Sequence, residues 1–498
     1  MKSYRPWSPT QSFLLPPSPL EWLPEGHLGY FVLEVAQTLD LSAIEDALQA
    51  KDGRGERPYS PPMMVALLIY GYCVGVFSSR RLSRATYEDV AFRVLAGGEH
   101  PHFTTVNEFR LMHREALAKL FVQALRLCQK AGLVKLGHVA LDGSKVAANA
   151  SKHKAMSYQR MQEEERRLAG EVEALLAKAD ATDRREDEQY GVGQAPEDLP
   201  EELRRRDSRL SRIREAKAAL EKEASEARAE ELREQAQAQR ERAADESVEA
   251  AERKRAATRA EKAEEKAREL TGKGPDDESP GGGSATGDLP HHRVPVETDG
   301  SPKPNAQRNF TDPDSRIMVK GGEFVQGYNA QAAVDAEAQI IVAAAVTNQP
   351  PDQEHLAPML GQVIANCGQA PAAVSADSGY FSRENTEACT AQGVDGYLAV
   401  GRDPAKATPA SQSPTPAQLA RAAMAAKLKT AEGKAVYARR KVIVEPVFGQ
   451  IKQARGFRRF SFRGIEKVRA EWSFVCATHN LLKLFRSGFS PFQAAAPA

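Results

Sequence analysis

The 498-residue chain has few of the features that would place it in a membrane, a disulfide scaffold or a zinc fold. Its longest apolar run, Val65 to Phe77, is broken by glycines and falls short of the ~20 residues that span a bilayer. The opening MKSYRPWSPTQSF has no apolar stretch of the kind a secretory leader needs. The five cysteines, Cys73, Cys128, Cys367, Cys389 and Cys476, are scattered and form no CxxC pair. That spacing argues against a disulfide framework and a cysteine zinc site, and it suits a reducing, cytoplasmic setting. The histidines show no HxxxH spacing. Nor is there an excess of one charge: 68 Lys and Arg face 67 Asp and Glu, for a net charge of +1. A uniformly basic protein is thereby excluded, but a locally basic surface balanced by acids elsewhere is not.

What the chain has in abundance is unevenly placed. The first twenty residues are rich in Pro and Ser and predict irregular backbone. Residues up to about 135 read as helices: Tyr30 to Leu48, a helix starting at Pro61-Pro62, Arg84 to Leu95, and Thr105 to Ala131. A Thr105/Glu108 capping box is a plausible start for the last. From about Met156 to Leu270 the sequence turns to Glu, Arg, Ala and Lys. Met161, Leu168 and Leu175 fall seven apart, as do Leu203 and Leu210, and Ile213 and Leu220, with a Gly-rich break at Gly191 to Gly193 and a possible helix start at Pro200. This predicts a charged helical hairpin or coiled coil. Its mixed charges favour pairing with protein over DNA. A Gly/Pro/Ser stretch over 271–305 predicts a flexible linker.

Strand patterns frame this insertion. His138-Val-Ala-Leu-Asp142 and Ala373-Val-Ser-Ala-Asp377 are short apolar runs that each end in an acid. Residues 317–319, 326–334 and 339–346 read as further strands, the last two a hairpin. Helices follow near 354–367 and 383–392, a strand at 396–400, a Pro/Ala/Ser-rich loop over 404–418, and helices at 435–454 and 465–485.

The two strand aspartates and Glu445, which lies in a helix, carry the chemistry. A carboxylate at the end of a buried strand is rigid and faces an open sheet edge. Three of them together could hold two hard divalent cations through oxygen ligands, the arrangement used for in-line phosphoryl displacement. Alone, each acid would more often be a turn residue or a solvated side chain. The surroundings of Glu445 favour the chemical reading. From Tyr437 to Arg469 ten Lys or Arg face two Glu, an excess of +8, with Phe448, Phe457, Phe460 and Phe462 interleaved. A basic, aromatic-laced stretch around one acid suits a phosphate-backbone surface. Arg440, Lys441, Lys452, Arg455, Arg458 and Arg459 are the candidate DNA contacts. Other features rank lower: His291-His292 as solvated linker, His479 as a packing residue, Gly321-Gly322 as a turn and not a phosphate loop, and Tyr70, Tyr72 and Phe77 as core. Thr104 to Arg114 is either a recognition helix or an ordinary bundle helix.

Five blocks, in order, resemble the DDE transposases of bacterial insertion sequences. They are RPYSPPMMVALLIYGYCVGVF and its continuation to Arg110, LDGSKVAANAS, NFTDPDSRIMVKGGEFVQGYNAQAAVDAEAQ onward, ADSGYFSREN, and VEPVFGQIKQARGFRRFSFRGIEKVRAEW. The resemblance implies an α/β fold: a ribonuclease-H-like mixed sheet core with a helical N-terminal domain and a long charged helical insertion. The corresponding divisions are 1–135, helical and DNA-binding; 136–155 with 306–485, catalytic; 156–270, inserted helices; 271–305, linker; and 486–498, tail. It matches Asp142, Asp377 and Glu445 to the three catalytic, metal-binding acids, served by two Mg²⁺ ions with Mn²⁺ as a substitute. In the Tyr-x2-Arg-x3-Glu-x6-Lys signature of the wider group, Lys452 matches the lysine. Lys441 stands at the arginine and Ala438 at the tyrosine, while Tyr437 and Arg440 sit one residue early. The implied activity is binding of the element's terminal inverted repeats, metal-dependent cleavage and strand transfer, by a homodimer that pairs two DNA ends, with no membrane association. Two rivals remain at this point: a metal-dependent nuclease on the same core, and an inactive DNA-binding coiled-coil protein.

Overall fold

A computed structural model describes residues 18, 21–50, 57–190, 201–272, 289–401 and 415–490. The N-terminal Pro/Ser stretch apart from residue 18, the glycine break at 191–193 with Pro200, and residues 404–414 of the expected 404–418 loop lie outside the described residues, while 416–418 of that loop are helical.

Seven helices come first: α1 Leu28–Thr38, α2 Ser42–Gln49, α3 Pro61–Cys73, α4 Ser79–Glu88, α5 Val90–Leu95, α6 Phe103–Met112 and α7 Arg114–Lys130. Helix α3 is apolar all round and almost wholly buried, as a central bundle helix must be. Two long helices expected from the sequence are each split. Asp89 leaves the helical region and caps α5, accepting from the amides of Ala91 and Phe92, so a residue inside an expected helix is used as an N-cap. His113 likewise separates α6 from α7. The Thr105/Glu108 capping box does not form. Helix α6 begins two residues earlier, after His102 and with no side-chain cap.

The sheet is built from β1 Val139–Ala147, β4 Arg316–Lys320, β5 Glu323–Asp335, β6 Ile341–Thr347, β7 Ala373–Ala376 and β8 Asp395–Leu398, after a small ribbon of β2 Ala155–Ser157 and β3 Gln307–Asn309. The order across the main sheet is β6-β5-β1-β7-β8, with β4 continuing the β6 edge along β5. Strands β1, β7 and β8 are parallel, and β5 and β6 are antiparallel to their neighbours. This mixed order is that of the ribonuclease-H-like fold, as expected. Helices α11 Leu356–Cys367, α12 Arg383–Ala391, α13 Pro416–Lys429, α14 Ala431–Gly449 and α15 Ile465–Arg486 complete it. Helix α14 packs on β1, β5, β7 and β8, while α15 joins β6 to α7 and α3. One apolar cluster therefore runs from Phe31 through Trp472 to Leu484, across both the N-terminal helices and the sheet.

Between β2 and β3 project α8 Tyr158–Tyr190, α9 Glu201–Ala244 and α10 Ala250–Thr271. Met161 and Leu168 of α8 are buried against Leu210, Ile213 and Leu220 of α9. The heptad seam thus closes within one chain. Farther out, Ala229, Leu232 and Ala267 form a second, small cluster between α9 and α10. The two ends of the insertion meet: the Tyr158 amide donates to the Ala306 carbonyl at 2.8 Å. The second half of the expected linker is folded. Leu289 is buried in the main core, the Thr347 hydroxyl donates to the Pro290 carbonyl, and the His292 amide donates to Asn348. Burial holds the His292 side chain well below its ordinary value, at about 4, so it is not a solvated linker residue.

Candidate active site

Asp142 does not end its strand. Strand β1 runs on to Ala147, paired with β5 on one side, and Asp142 faces Ala332 in that ladder. On its other side β7 stops at Ala376. The parallel register there, Ala140 beside Ser375, continued by two residues, sets Asp142 next to Asp377. The ladder is open at that point, and the open edge faces the carboxylates. Each uses one oxygen on a backbone amide at 2.9 Å, that of Gly143 for Asp142 and that of Gly379 for Asp377. Burial pushes the Asp142 carboxyl up to about 6; Arg440 opposes this and the Asp377 charge adds to it.

Glu445 sits on α14, immediately before Pro446. Proline cannot donate to the carbonyl four residues back. The freed Val442 carbonyl accepts instead from the Gln339 side-chain Nε2, at 2.8 Å, on the β5–β6 turn. The turn thereby pins the helix where Glu445 stands. Arg440 joins the acids, its guanidinium lying 3.4 Å from Asp142 and 3.9 Å from Glu445. Arg440 is buried and Lys441 is exposed. The structure thus brings Arg440, one residue early in the signature, to the acids, and Tyr437 hydrogen-bonds it. Among the described residues, no three His, Cys, Asp or Glu side chains are grouped closely enough to hold one metal ion. Two aspartates lie side by side, and a guanidinium stands between them and the glutamate.

After α14 the chain makes a π-helical turn, Gln450–Ala454, a distortion frequent at functional sites. Lys452 in this turn donates to the Ser144 hydroxyl and, at 3.3 Å, to the Lys145 carbonyl. Burial and the nearby Lys320 draw its ammonium down to about 8, while Asp142 partly restores it. Arg458 and Arg459 are exposed. Arg455 departs from expectation: it is buried, and its guanidinium donates to the Thr478 hydroxyl at 2.9 Å and to the Val475 carbonyl. It is unavailable to DNA. The interleaved Phe448, Phe457 and Phe460 are buried too and serve the core, with Phe457 and Phe460 in edge-on contact. His479 is buried on the Gln339 carbonyl, as the packing reading expected.

Asp352, in the loop before α11, was not singled out from the sequence. It ion-pairs with Lys145 at 3.3 Å and accepts from Asn329 and Gln331 at 2.6 and 2.8 Å. Burial raises its pKa, but His355, Lys145 and Asn329 outweigh this and hold it at about 2. Gln331 also accepts from the buried Tyr380 hydroxyl, and Tyr380 lies among the charges of Asp352, Asp142 and Asp377. The backbone passes closely here: a Cβ on Gly143 would come within 2.8 Å of the Asp352 carboxylate. Only the burial of strand β5 polar groups at Asn329 and Gln331 could have hinted at this network.

A cleft of about 660 Å³ opens where α4 and α6 meet the segment after the π turn. Arg80, Arg81, Thr104, Asn107 and Arg459 line it, and Arg80 stacks on Phe103 at 5.1 Å. Below it, the Arg110–Glu471 ion pair, at 3.1 Å, is buried on both sides. Tyr72 adds its hydroxyl to Glu471, whose other oxygen accepts the Ser461 amide at 2.8 Å.

The mixed sheet and its helices define a ribonuclease-H-like fold, and comparison with known families agrees with that fold. Residues 294–481 match the transposase DDE domain, and residues 18–111 match a transposase domain known as DUF772. The chain belongs to the DDE transposases of insertion sequences. No curated protein and no solved structure matches it. Among the described residues, no helix is long and apolar enough to cross a membrane.

Proposed function

We propose that this transposase binds the terminal inverted repeats of its own element, cleaves the DNA there and joins the freed 3′ end to a target. The observation that carries this reading is the meeting of Asp142 and Asp377 at the point where β7 ends, with Glu445 linked to them through Arg440. The donor set suits a hard cation: carboxylate oxygens only, with the like charges of Asp142 and Asp377 close enough to raise the Asp142 pKa. Asp142 and Asp377 would hold Mg²⁺, or Mn²⁺ in its place, and Glu445, here facing Arg440, would complete a two-ion set on moving past that guanidinium; such ions would supply activation of an oxygen nucleophile and neutralise charge at the phosphorus.

The chain's own residues do the rest. Arg440 orients Asp142 and Glu445 toward each other. Lys452, fixed by Ser144, offers its ammonium to a phosphate beside the cut. The Asp352–Lys145 pair stiffens β1 under the site. Arg458 and Arg459, with Arg80 and Arg81 across the cleft, extend a basic path from the acids to the N-terminal helices. Lys441 lies exposed on α14 and would touch DNA only from that side. A homodimer would pair the two element ends.

The test uses duplexes that carry an element end, with Mg²⁺ or Mn²⁺. Cleavage followed by joining to a second duplex is expected. Asp142→Asn, Asp377→Asn and Glu445→Gln should each abolish cleavage and leave binding intact. Cutting without joining would make the chain a nuclease on the same core. Unimpaired cleavage by any of the three variants would overturn the assignment of that acid.

A further inference from the structure

At the base of the helical arm, α8, α9 and the β2–β3 ribbon enclose a second cleft, of about 820 Å³. Lys154, Arg160, Arg205, Arg209, Arg212 and Arg308 line it, against one carboxylate, Glu215. Arg209 and Arg308 are engaged by Glu164 and Glu223. Among the described residues, the side chains of Lys154 and Arg212 form no ion pair or hydrogen bond, and Arg160 reaches Glu164 only as a more distant charge. Balanced composition conceals this surplus. Three acids of α8 are spent between the helices: Glu164 on Arg209, Glu165 on Arg214 and Lys217, and Glu171 on Arg206. What is left facing the ribbon is cationic.

Arg205, Arg209 and Arg212 recur at i, i+4 and i+7 and so share one face of α9. At 1.5 Å per residue they span roughly 10 Å of helix axis. A DNA strand advances about 3.4 Å of duplex axis per phosphate while winding around it, so a row of this length has the scale of a short run of backbone phosphates. Lys154 and Arg308 stand on the facing wall. We propose that this cleft grips the phosphate backbone of duplex DNA, as a contact separate from the catalytic cleft and independent of base sequence. The planar guanidinium fork suits phosphate oxygens. Helix α8 of a second copy is a poorer occupant, because its Glu165 and Glu171 are already engaged within their own arm.

The experiment uses the full chain in EDTA, so that no cleavage occurs and the outcome does not depend on the catalytic reading. Binding of a linear duplex of arbitrary sequence is followed by fluorescence anisotropy across a NaCl series. The double variant Arg160→Gln/Arg212→Gln removes two cations that hold no ion pair. Its thermal unfolding should match the parent chain. The slope of log K against log salt should fall in magnitude by about 2, close to one per lost contact. A third change, Lys154→Gln, should lower it by about one more. An unchanged slope overturns the proposal: with weakened self-association in sedimentation, the cleft receives a second copy; with unaltered self-association, it is a solvated surface. If the Gln variant unfolds, Arg212→Lys/Arg160→Lys tests the same point, and retention of the full slope together with weaker binding at every salt concentration is then expected; parental affinity would overturn the proposal.

Discussion

Arg440 shows how one side chain can set the state of a site. It is the charge that keeps the Asp142 carboxyl from rising further against burial. Arg440→Gln should therefore lower the affinity for Mg²⁺ and cut cleavage by at least tenfold at neutral pH, with part of the loss recovered at higher pH, where Asp142 ionises. Single-turnover cleavage across pH 6 to 9 reads this out. Three histidines make a different prediction. Burial holds His138 and His292 at about 4 and His479 at about 3, all below the ordinary value of 6.5. The unfolded chain takes up these protons first as pH falls, so stability is full above about pH 6.5 and declines toward the folded values. Between pH 7 and 4.5 each should cost roughly 2–3 kcal/mol. Urea unfolding at the two pH values should show the loss, and His138→Gln should recover about a third of it.

Among the elements, the turn between α3 and α4 is a tight joint against the π turn. Gly75 has φ +82°, and a Cβ there would lie 2.5 Å from the Arg455 carbonyl at the end of the π turn. Gly75→Ala should destabilise the chain by about 2 kcal/mol or more, through both strain and the lost approach. A fall in thermal midpoint without loss of secondary structure would reveal it. This joint also marks where the sequence stops being informative. Strand positions and the α/β class are legible because short apolar runs are local signals, but the end of the first run is not the end of its strand: β1 continues past Asp142 to Ala147. Helix breaks at Asp89 and His113 were not, since a cap residue inside an amphipathic pattern looks like any polar position. Arg455 and the phenylalanines after Glu445 were misread for a related reason. A basic, aromatic run does not say which side chains turn inward, and here α15 covers one face of it. Asp352 escaped because it sits in a loop and acquires its partners only when β1 and β5 pair.

At the scale of the molecule, the arm and the core are separable while the N-terminal helices and the core are not. The arm begins and ends at the β2–β3 ribbon, with Met156 opposite Arg308. Replacing residues 158–306 by a two-residue turn should leave a cooperatively folding core with its acids in place. A decrease of about 2–3 kcal/mol is expected from losing buried Leu289, and circular dichroism with urea titration would measure it. The junction with the N-terminal helices behaves in the opposite way. Arg110 of α6, Tyr72 of α3, Glu471 of α15 and the Ser461 amide share one buried network, and Arg110 also stacks on Phe462 at 4.6 Å. Removing one partner of such a pair strands the other's charge. Glu471→Ala should cost about 3–5 kcal/mol and lower a single melting transition rather than split it.

That network bears on how the N-terminal helices could be exchanged between relatives. A chimera that takes residues 18–111 from a relative would bring its own arginine and tyrosine to a foreign glutamate and a foreign loop. The exchangeable unit is therefore discontinuous. It must carry the first six helices together with the stretch from Ser461 to Glu471, although some 350 residues of chain lie between them. Recombination between related elements at a single crossover would break this unit, whereas exchange of the arm at the β2–β3 ribbon would not.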